Sequence, residues 1–561
     1  MPYTTHEVLN QPPPREGHDV FSEDAALVEG LARDGAGWAA GDLADLGRRA
    51  GSPEAMEWGR MANTCEPVLE THDRFGNRLD RIDYHPAYHR LMATAVESGA
   101  HAFPWAEARP GSHVARAAKV MVWSHADPGH ICPISMTYSV VAALRHQPDL
   151  AADWEPQLTV RAYDPAFAPP EHKIGLTAGM ALTEKQGGSD VRANTTVAEP
   201  DGAGGHLLTG HKWFVSAPMS DVFLVLANAP GGLSCFLMPR WLPDRSRNAM
   251  LIQRLKDKMG DKSNASSEVE LDGALAWMVG EEGRGVRTII EMVNRTRLDC
   301  SLGSAAGMRQ AVGEAIHHVR HRDAFGRRLA DQPVMSAVLA DLALESEAAT
   351  AAALRLAGAY DRGEEFARIG TPVVKFWVCK RQPGMVAEAL ECLGGGGYVE
   401  ESVMPRLFRQ SPLNGVWEGS GNVIGLDMLR AMGRNPESVE AFVAELREAA
   451  GADRRFDSAL DDLLGGLAGE PGESDVRSLT GQMAILLQAS LLLRFSPAVT
   501  ADAFVASRIE VPGPVYGALP GGIDAAAIID RALPALSLVH LSEPTRPNAP
   551  ARMRSSAWNG G

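Results

Sequence analysis

With 561 residues and a formal net charge of −16, the chain is not a globally basic nucleic-acid binder, although a local basic patch is compatible with an acidic total. Its 45% hydrophobic and 22% charged composition is that of an ordinary soluble globular chain, for which this length suggests roughly three to four domains. Six scattered cysteines with no C-x-x-C pair argue against a disulfide framework and a cysteine-rich zinc site, so no metal is expected and a reduced, cytoplasmic setting fits.

The opening MPYTTHEVLNQPPPREGHDV has no apolar h-region, so no signal peptide is expected. Residues 1–175 alternate helical patterns with Pro-rich breaks. QPPPREGHD reads as an extended arm or turn, and 115–125 and 136–144 read as helices. Between 176 and 280 the texture changes. HLLTGHKWFVS, DVFLVLA, LSCFLMP and SSEVELDG are β-type runs separated by turn residues, which predicts a small β domain. GEEGRGVRTII opens a helical region over 281–437. Val286, Ile289, Ile290, Val293, Leu298 and Leu302 recur at near-helical spacing, and amphipathic stretches follow at 334–356, 372–393 and 423–432. Four such helices predict a bundle, the third ended by Gly394 to Gly397. A further helical block spans 438–535. Its run MAILLQASLLLRF is broken by Gln488 and is shorter than the roughly 18 residues of a membrane span, so it predicts a buried helix and no membrane partner. The tail 536–561, rich in Pro, Ser and Arg, predicts disorder. The expected class is mainly α with a central small β domain.

Five stretches carry candidate chemistry. In MALTEKQGGSD, Thr183 and Ser189 supply hydroxyls while Gly187 and Gly188 let backbone N–H groups approach a ligand; the alternative is a polar turn entering a strand. In GHKWFVS, Phe214 and Ser216 share a strand face, a flat platform beside a hydroxyl; the alternative is a core-facing aromatic. In RHRDAFGRRLADQP, Arg322 either grips a phosphate bidentately or is a solvated basic helix end. EALECLGGGGY reads as a helix C-cap. WEGSGN sets the carboxylate of Glu418 between the Trp417 indole and two glycines, Gly419 and Gly421, that permit close backbone approach.

In this order and at these separations, T-E-x-x-x-G-S-D, K-x-F-V-S, R-x-x-F-G…Q, L-G-G-x-G and E-G-[ST] resemble the contact series of the acyl-CoA dehydrogenase flavoprotein superfamily over residues 90–432. TEKQGGSDV, GGLSCF, RLKDKMGDKSNASSEVE, LGGGGYVEES, WEGSGN and THEVLNQPPP are similar to its AidB branch, the alkylation-response homologues, as is the extra C-terminal block. This extends the resemblance to about residue 535.

The resemblance implies an N-terminal helical domain, a β-barrel-like domain, a four-helix bundle and an extra C-terminal helical domain that is the candidate DNA-binding block. It implies FAD between the β domain and the bundle. By motif position Met180, Leu182, Thr183, Gly188 and Ser189 contact the ring or its linkage. Phe214 and Ser216 lie against the ring, where most of the superfamily carries Trp and Thr. Gly394, Gly395, Ser420 and Asn422 are further flavin contacts. Arg322 and Phe325 serve a neighbouring subunit's FAD and Gln332 its adenine end, with Gln332 one residue closer to Phe325 than is usual. Glu418 matches the catalytic base, and Trp417 and Arg297 belong to the site of the acyl-CoA thioester. Where some branched-chain members place their base, this chain has Thr296. A desolvated carboxylate is a well-matched base for a thioester α-proton, the β-hydrogen leaving as hydride to the flavin.

The AidB likeness further implies association with double-stranded DNA in the alkylation-damage response, with feeble dehydrogenase activity on isovaleryl-CoA-like thioesters. Arg430 and Arg508 are the candidate DNA contacts, with Arg454, Arg455 and Arg494. Composition opposes this: residues 438–561 hold fifteen acids against ten arginines, and no lysine follows Lys380. The alternatives are a fully active dehydrogenase with no DNA role and a flavin-stabilised scavenger of alkylating agents. A homo-oligomer, a tetramer, is implied.

Overall fold

The computed structural model describes residues 5–469 and 471–534; the expected disorder of 536–561 lies outside them. Helices dominate the first part of the chain, from Ala25–Arg33 to Pro148–Leu158. Asp24 and Ser52 cap their helices by accepting backbone N–H bonds. Ser112–Ser124 and Ile131–Leu144 carry small and apolar residues on nearly every face and are buried all round, as such helices must be. A hairpin interrupts them: β1 (Val68–His72) pairs with β2 (Arg78–Asp83). The purely helical expectation for 1–175 missed it, because VLETH and RLDRID are too charged to read as strands. The Asp73 carboxylate closes its turn by accepting from Phe75 N and Asn77 N.

The β domain runs from β3 (Ala178–Ala181) through β4 (Val197–Pro200), β5 (His206–Ser216), β6 (Val222–Ala229), β7 (Gly232–Pro239) and β8 (Met250–Leu255) to β9 (Ser266–Val279). The strand order is β3-β6-β4-β5-β9-β7, with β8 on β9, and an additional β6–β7 pairing closes the sheet on itself. Leu208, Val225, Phe236 and Val269 fill its interior. β6 is apolar from Val222 to Ala227 because its other face packs, through Leu224 and Leu226, onto residues of Ile131–Leu144 and of the long helix that follows the barrel.

That long helix is Gly285–His321, joined in the bundle by Pro333–Arg362, Phe366–Glu391 and Gly421–Arg434. The third starts six residues before the expected 372 and runs through both Pro372 and Pro383. Each proline removes a backbone bond, and the buried Ile369, Val373, Val374 and Val378 hold the helix together across the gap. It ends before Gly394, whose φ of +59° suits glycine.

The C-terminal block contains Pro436–Arg447, Arg454–Ala468, Val476–Phe495, Ala498–Val505 and Ala525–Ala532. Val476–Phe495 is the one described helix long and apolar enough to cross a membrane, and most of it is buried inside the protein, Leu487 and Leu491 completely. Ion pairs fasten this block to the bundle. Arg508 pairs with Asp341 and, at 3.1 Å, with Glu345; Arg531 meets Glu347 at 2.9 Å. Arg508, expected at a DNA surface, is therefore half-buried and committed to two internal carboxylates. Arg494 pairs with Glu445, and Arg455 with Asp453, Asp502 and Glu510. Charge counting cannot separate such bound arginines from free ones.

Candidate functional site

The WEGSGN turn enters the Gly421–Arg434 helix through a left-handed bend. Glu418 has φ +58° and Gly419 φ +104°, a conformation that costs a non-glycine residue energy and persists only where the surroundings fix it. Three consecutive carbonyls are fixed here. Lys375 Nζ donates to Trp417 O at 2.8 Å and to Gly419 O at 2.5 Å, and Arg297 Nε donates to Glu418 O at 3.0 Å. Arg297 also pairs with Asp427 at 2.7 Å, which Arg368 holds from the other side at 3.1 Å. Lys375 is only 1% exposed, and among the described residues it has no carboxylate within ion-pair distance. The Trp417 indole donates to Asn414 Oδ1 at 2.8 Å.

The Glu418 carboxyl points at the long helix, where Thr296 Oγ1 lies 2.8 Å from Oε2. Burial pushes its pKa up. The Thr296 bond and the Arg297 and Lys375 charges oppose that rise without cancelling it. The result is a carboxyl less acidic than a free one.

Trp417, Met180 and Leu182 pack on one apolar cluster with Cys132, Met136 and Met292, so the turn and the β-domain loop share a wall. Trp213 N donates to Thr183 O at 2.8 Å, which ties the MALTEKQGGSD and GHKWFVS stretches together. Glu184 is internal, 1% exposed. It accepts from Lys212 Nζ at 2.8 Å, from Thr196 Oγ1 at 2.6 Å and from Thr195 N at 2.7 Å. Burial alone would raise its pKa; these donors outweigh it and hold the carboxyl at about 2. Gly188 and Ser189 are exposed, and a Cβ on Gly188 would lie 2.7 Å from Thr183 Oγ1. Phe214 is 54% exposed, which overturns the core-facing alternative: an irregularity between Lys212 and Val215 turns the ring outward. Ser216 Oγ stands 3.0 Å from Ser266 Oγ.

Other predicted residues fall elsewhere. Phe325, 97% exposed with φ +54°, and Gly326, φ +80°, form the tip of a hairpin between β10 (Asp323–Ala324) and β11 (Arg327–Arg328). Arg322 donates to the Asn10 carbonyl, and Gln332 Nε2 donates to Ala324 O at 3.1 Å. A Cβ on Gly394 or Gly395 would meet nothing. Ser420 is the helix N-cap residue and makes no capping bond with its hydroxyl. Asn422 Oδ1 accepts from Arg477 at 2.6 Å. A Cβ on Gly421 would lie 2.3 Å from Lys380 Cε, so the glycine makes room for that side chain. Arg430 is exposed.

Sequence comparison agrees with this geometry. Residues 10–165 match the adaptive response protein AidB N-terminal domain, 179–274 the acyl-CoA dehydrogenase middle domain and 283–433 the acyl-CoA dehydrogenase C-terminal domain. The AidB protein of Escherichia coli (strain K12), named as an acyl-CoA dehydrogenase, is 44% identical over 522 residues, 92% of this chain and 96% of that one. The chain belongs to the acyl-CoA dehydrogenase family, in its AidB branch. Acyl-CoA dehydrogenase family member 11 of Caenorhabditis elegans is 31% identical over 75% of this chain and 71% of its own length. The crystal structure of Caenorhabditis elegans ACDH-11 in complex with C11-CoA superposes with a TM-score of 0.80 at 26% identity, covering 94% of this chain and 93% of that one.

Acyl-CoA dehydrogenases are FAD-dependent oxidoreductases, and the residues present fit that cofactor. Phe214 offers an outward flat ring beside the Ser216 hydroxyl. The Gly188–Ser189 backbone is accessible, and Met180, Leu182 and Trp417 supply an apolar wall. Three contributors escaped the sequence reading. Lys375 had a faint signal, a lone cation in the apolar run PVVKFWVC. Thr296 shows only that it lacks a carboxylate. Glu184, inside the first motif, looks like a ligand and is an internal anchor for the loop.

Proposed function

We propose that this chain dehydrogenates acyl-CoA thioesters with Glu418 as the base. The observation that carries this is the Glu418 carboxyl, its pKa raised by burial, hydrogen-bonded to Thr296 and next in the chain to Trp417, which packs on one apolar cluster with Met180 and Leu182. The C11-CoA complex of the Caenorhabditis elegans protein supports the substrate class. FAD, when bound, accepts the hydride. The chain's own residues do the rest. Glu418 takes the proton α to the thioester carbonyl, Arg297 and Lys375 hold the turn that aims it, and Trp417 keeps water from the apolar wall. Anaerobic addition of isovaleryl-CoA and straight-chain acyl-CoAs should bleach the flavin, slowly if the AidB likeness holds in full. Glu418→Gln should keep FAD and lose bleaching; bleaching that survives removes Glu418 from the role.

The second reading is association with double-stranded DNA in the alkylation response, by a cytoplasmic homotetramer. It is favoured by Arg430 and Arg454, both exposed and outside any ion pair among the described residues. The 97% exposed Phe325 at a hairpin tip suits contact with a second copy. Retention on DNA should fall with salt, and Arg430→Glu should weaken it and flatten the salt slope. Retention indifferent to salt and to Arg430 leaves the dehydrogenase alone.

A further inference from the structure

Lys375 is placed unlike any other cation near the site. It sits on the Phe366–Glu391 helix, 1% exposed, and spends two of its three donors on the carbonyls either side of Glu418. Arg297, which holds the carbonyl between them, is paired with Asp427, an acid it shares with Arg368. Lys375 has no such partner among the described residues. A buried ammonium without a counter-charge costs several kcal/mol, and what offsets that cost here is the ring of carbonyl dipoles and the one acid they carry.

We propose that Lys375 is the positioning residue of the catalytic turn, fixing the carbonyls that flank Glu418 so that its carboxylate is aimed, and lending that carboxylate its buried counter-charge. The inference rests on the reading of Glu418 as the base. The left-handed Glu418 is a conformation that must be over-determined from outside, and the two Lys375 bonds straddle it. The groups facing the turn are Arg297 and Arg368, which share Asp427, the Thr296 hydroxyl, Lys375, Lys380 beside Gly421, and the Cys300 thiol. Burial pushes that thiol well above its usual range and keeps it neutral. Lys375 and Lys380 have no ion pair among the described residues, and of the two only Lys375 is buried and bonded to the carbonyls that flank Glu418.

Three variants separate aim from charge. Lys375→Met removes both, Lys375→Gln keeps an amide donor without charge, and Lys375→Arg keeps charge. In the FAD-loaded protein, Lys375→Met should slow bleaching on the order of a hundredfold at high pH with KM little changed. It should also move the ascending limb of the pH profile up by roughly one unit. Lys375→Gln should move the limb with a smaller loss of rate, and Lys375→Arg should return the limb towards its original place. An infrared titration of the Glu418 carboxyl, taken as the difference from Glu418→Gln, should show the same upward move in the Met and Gln variants. This readout does not depend on turnover. If Lys375→Met does not fold, Lys375→Gln carries the same comparison. A Glu418 titration and pH limb unchanged in every folded uncharged variant overturns the proposal. Bleaching that persists in Glu418→Gln overturns the base assignment instead, and the infrared titration still decides whether Lys375 governs the carboxyl.

Discussion

The Thr296 hydroxyl lies 2.8 Å from Glu418 Oε2 and 2.9 Å from the Val293 carbonyl, and it has one proton to give. When Glu418 is ionised, that proton goes to the carboxylate. When Glu418 is protonated, its own O–H can donate to Thr296, which then turns to Val293. The threonine thus serves both states of the base without leaving either unpaired.

Thr296→Val keeps the shape and removes the hydroxyl. The hydrogen bond lowers the Glu418 pKa, so its loss lets burial raise that pKa further. The ascending limb of flavin bleaching against pH should move up by about one unit, with the high-pH rate largely kept. A limb that stays put removes Thr296 from the account.

Glu184 and Lys212 form a fully internal pair. Glu184 titrates at about 2 in the folded chain and at 4.5 as a free group. Its contribution to stability is therefore complete above about 4.5 and is lost as pH falls towards 2. Glu184→Gln should remove that part of the acid sensitivity. It also leaves the Lys212 ammonium buried and unpaired, costing about 3–5 kcal/mol at neutral pH. Melting curves across the acid range check both statements, and FAD retention should fall in parallel because the 182–196 loop loses its anchor.

Asp261 behaves the opposite way. Burial, aided by the nearby Asp127 charge, pushes its pKa from 3.8 to about 7 against Lys258 and Arg406. An acid with a raised folded pKa resists ionising, so stability declines as pH rises from about 3.8 to 7 and stays lower above. Asp261→Asn should raise the melting temperature at pH 8 and change it little at pH 4. Asparagine also tolerates the φ of +48° at this position. Equal effects at the two pH values would show that ionisation is not the cause.

Arg508→Ala should act on stability. Asp341 and Glu345 are both nearly inaccessible, and Arg381, 2.9 Å from Glu345, can compensate only one of them. A loss of about 3 kcal/mol or more is expected. DNA retention, measured below the variant's melting temperature, should match the parent protein.

Much of the architecture is legible in the sequence because it rests on periodicity. VFLVLA, after Asp221, is apolar at every position, and the spacing from Val286 to Leu302 declares a helix. What escapes rests on tertiary context. The charged strands β1 and β2 pair chiefly with each other, and Pro372 reads as a helix start where packing carries the helix past it. At the site, Glu418 announces itself between an indole and a glycine. Lys375 does not, because its partners are backbone carbonyls 42 and 44 residues away and backbone leaves no residue-type signature. Glu184 hides its purpose in the same manner, since Lys212 lies 28 residues on.

The pairing of Arg508 and Arg531 with Asp341, Glu345 and Glu347 has a consequence for protein engineering. Their three acids all belong to Pro333–Arg362, a core helix of the bundle. The added C-terminal helices are a supporting wall of the enzyme. Trimming the chain at residue 437 would strip cations from three acids at once and bare the face that Leu487 and Leu491 cover. A minimal dehydrogenase could be carved from this chain only after that flank of Pro333–Arg362 had been redesigned with neutral residues.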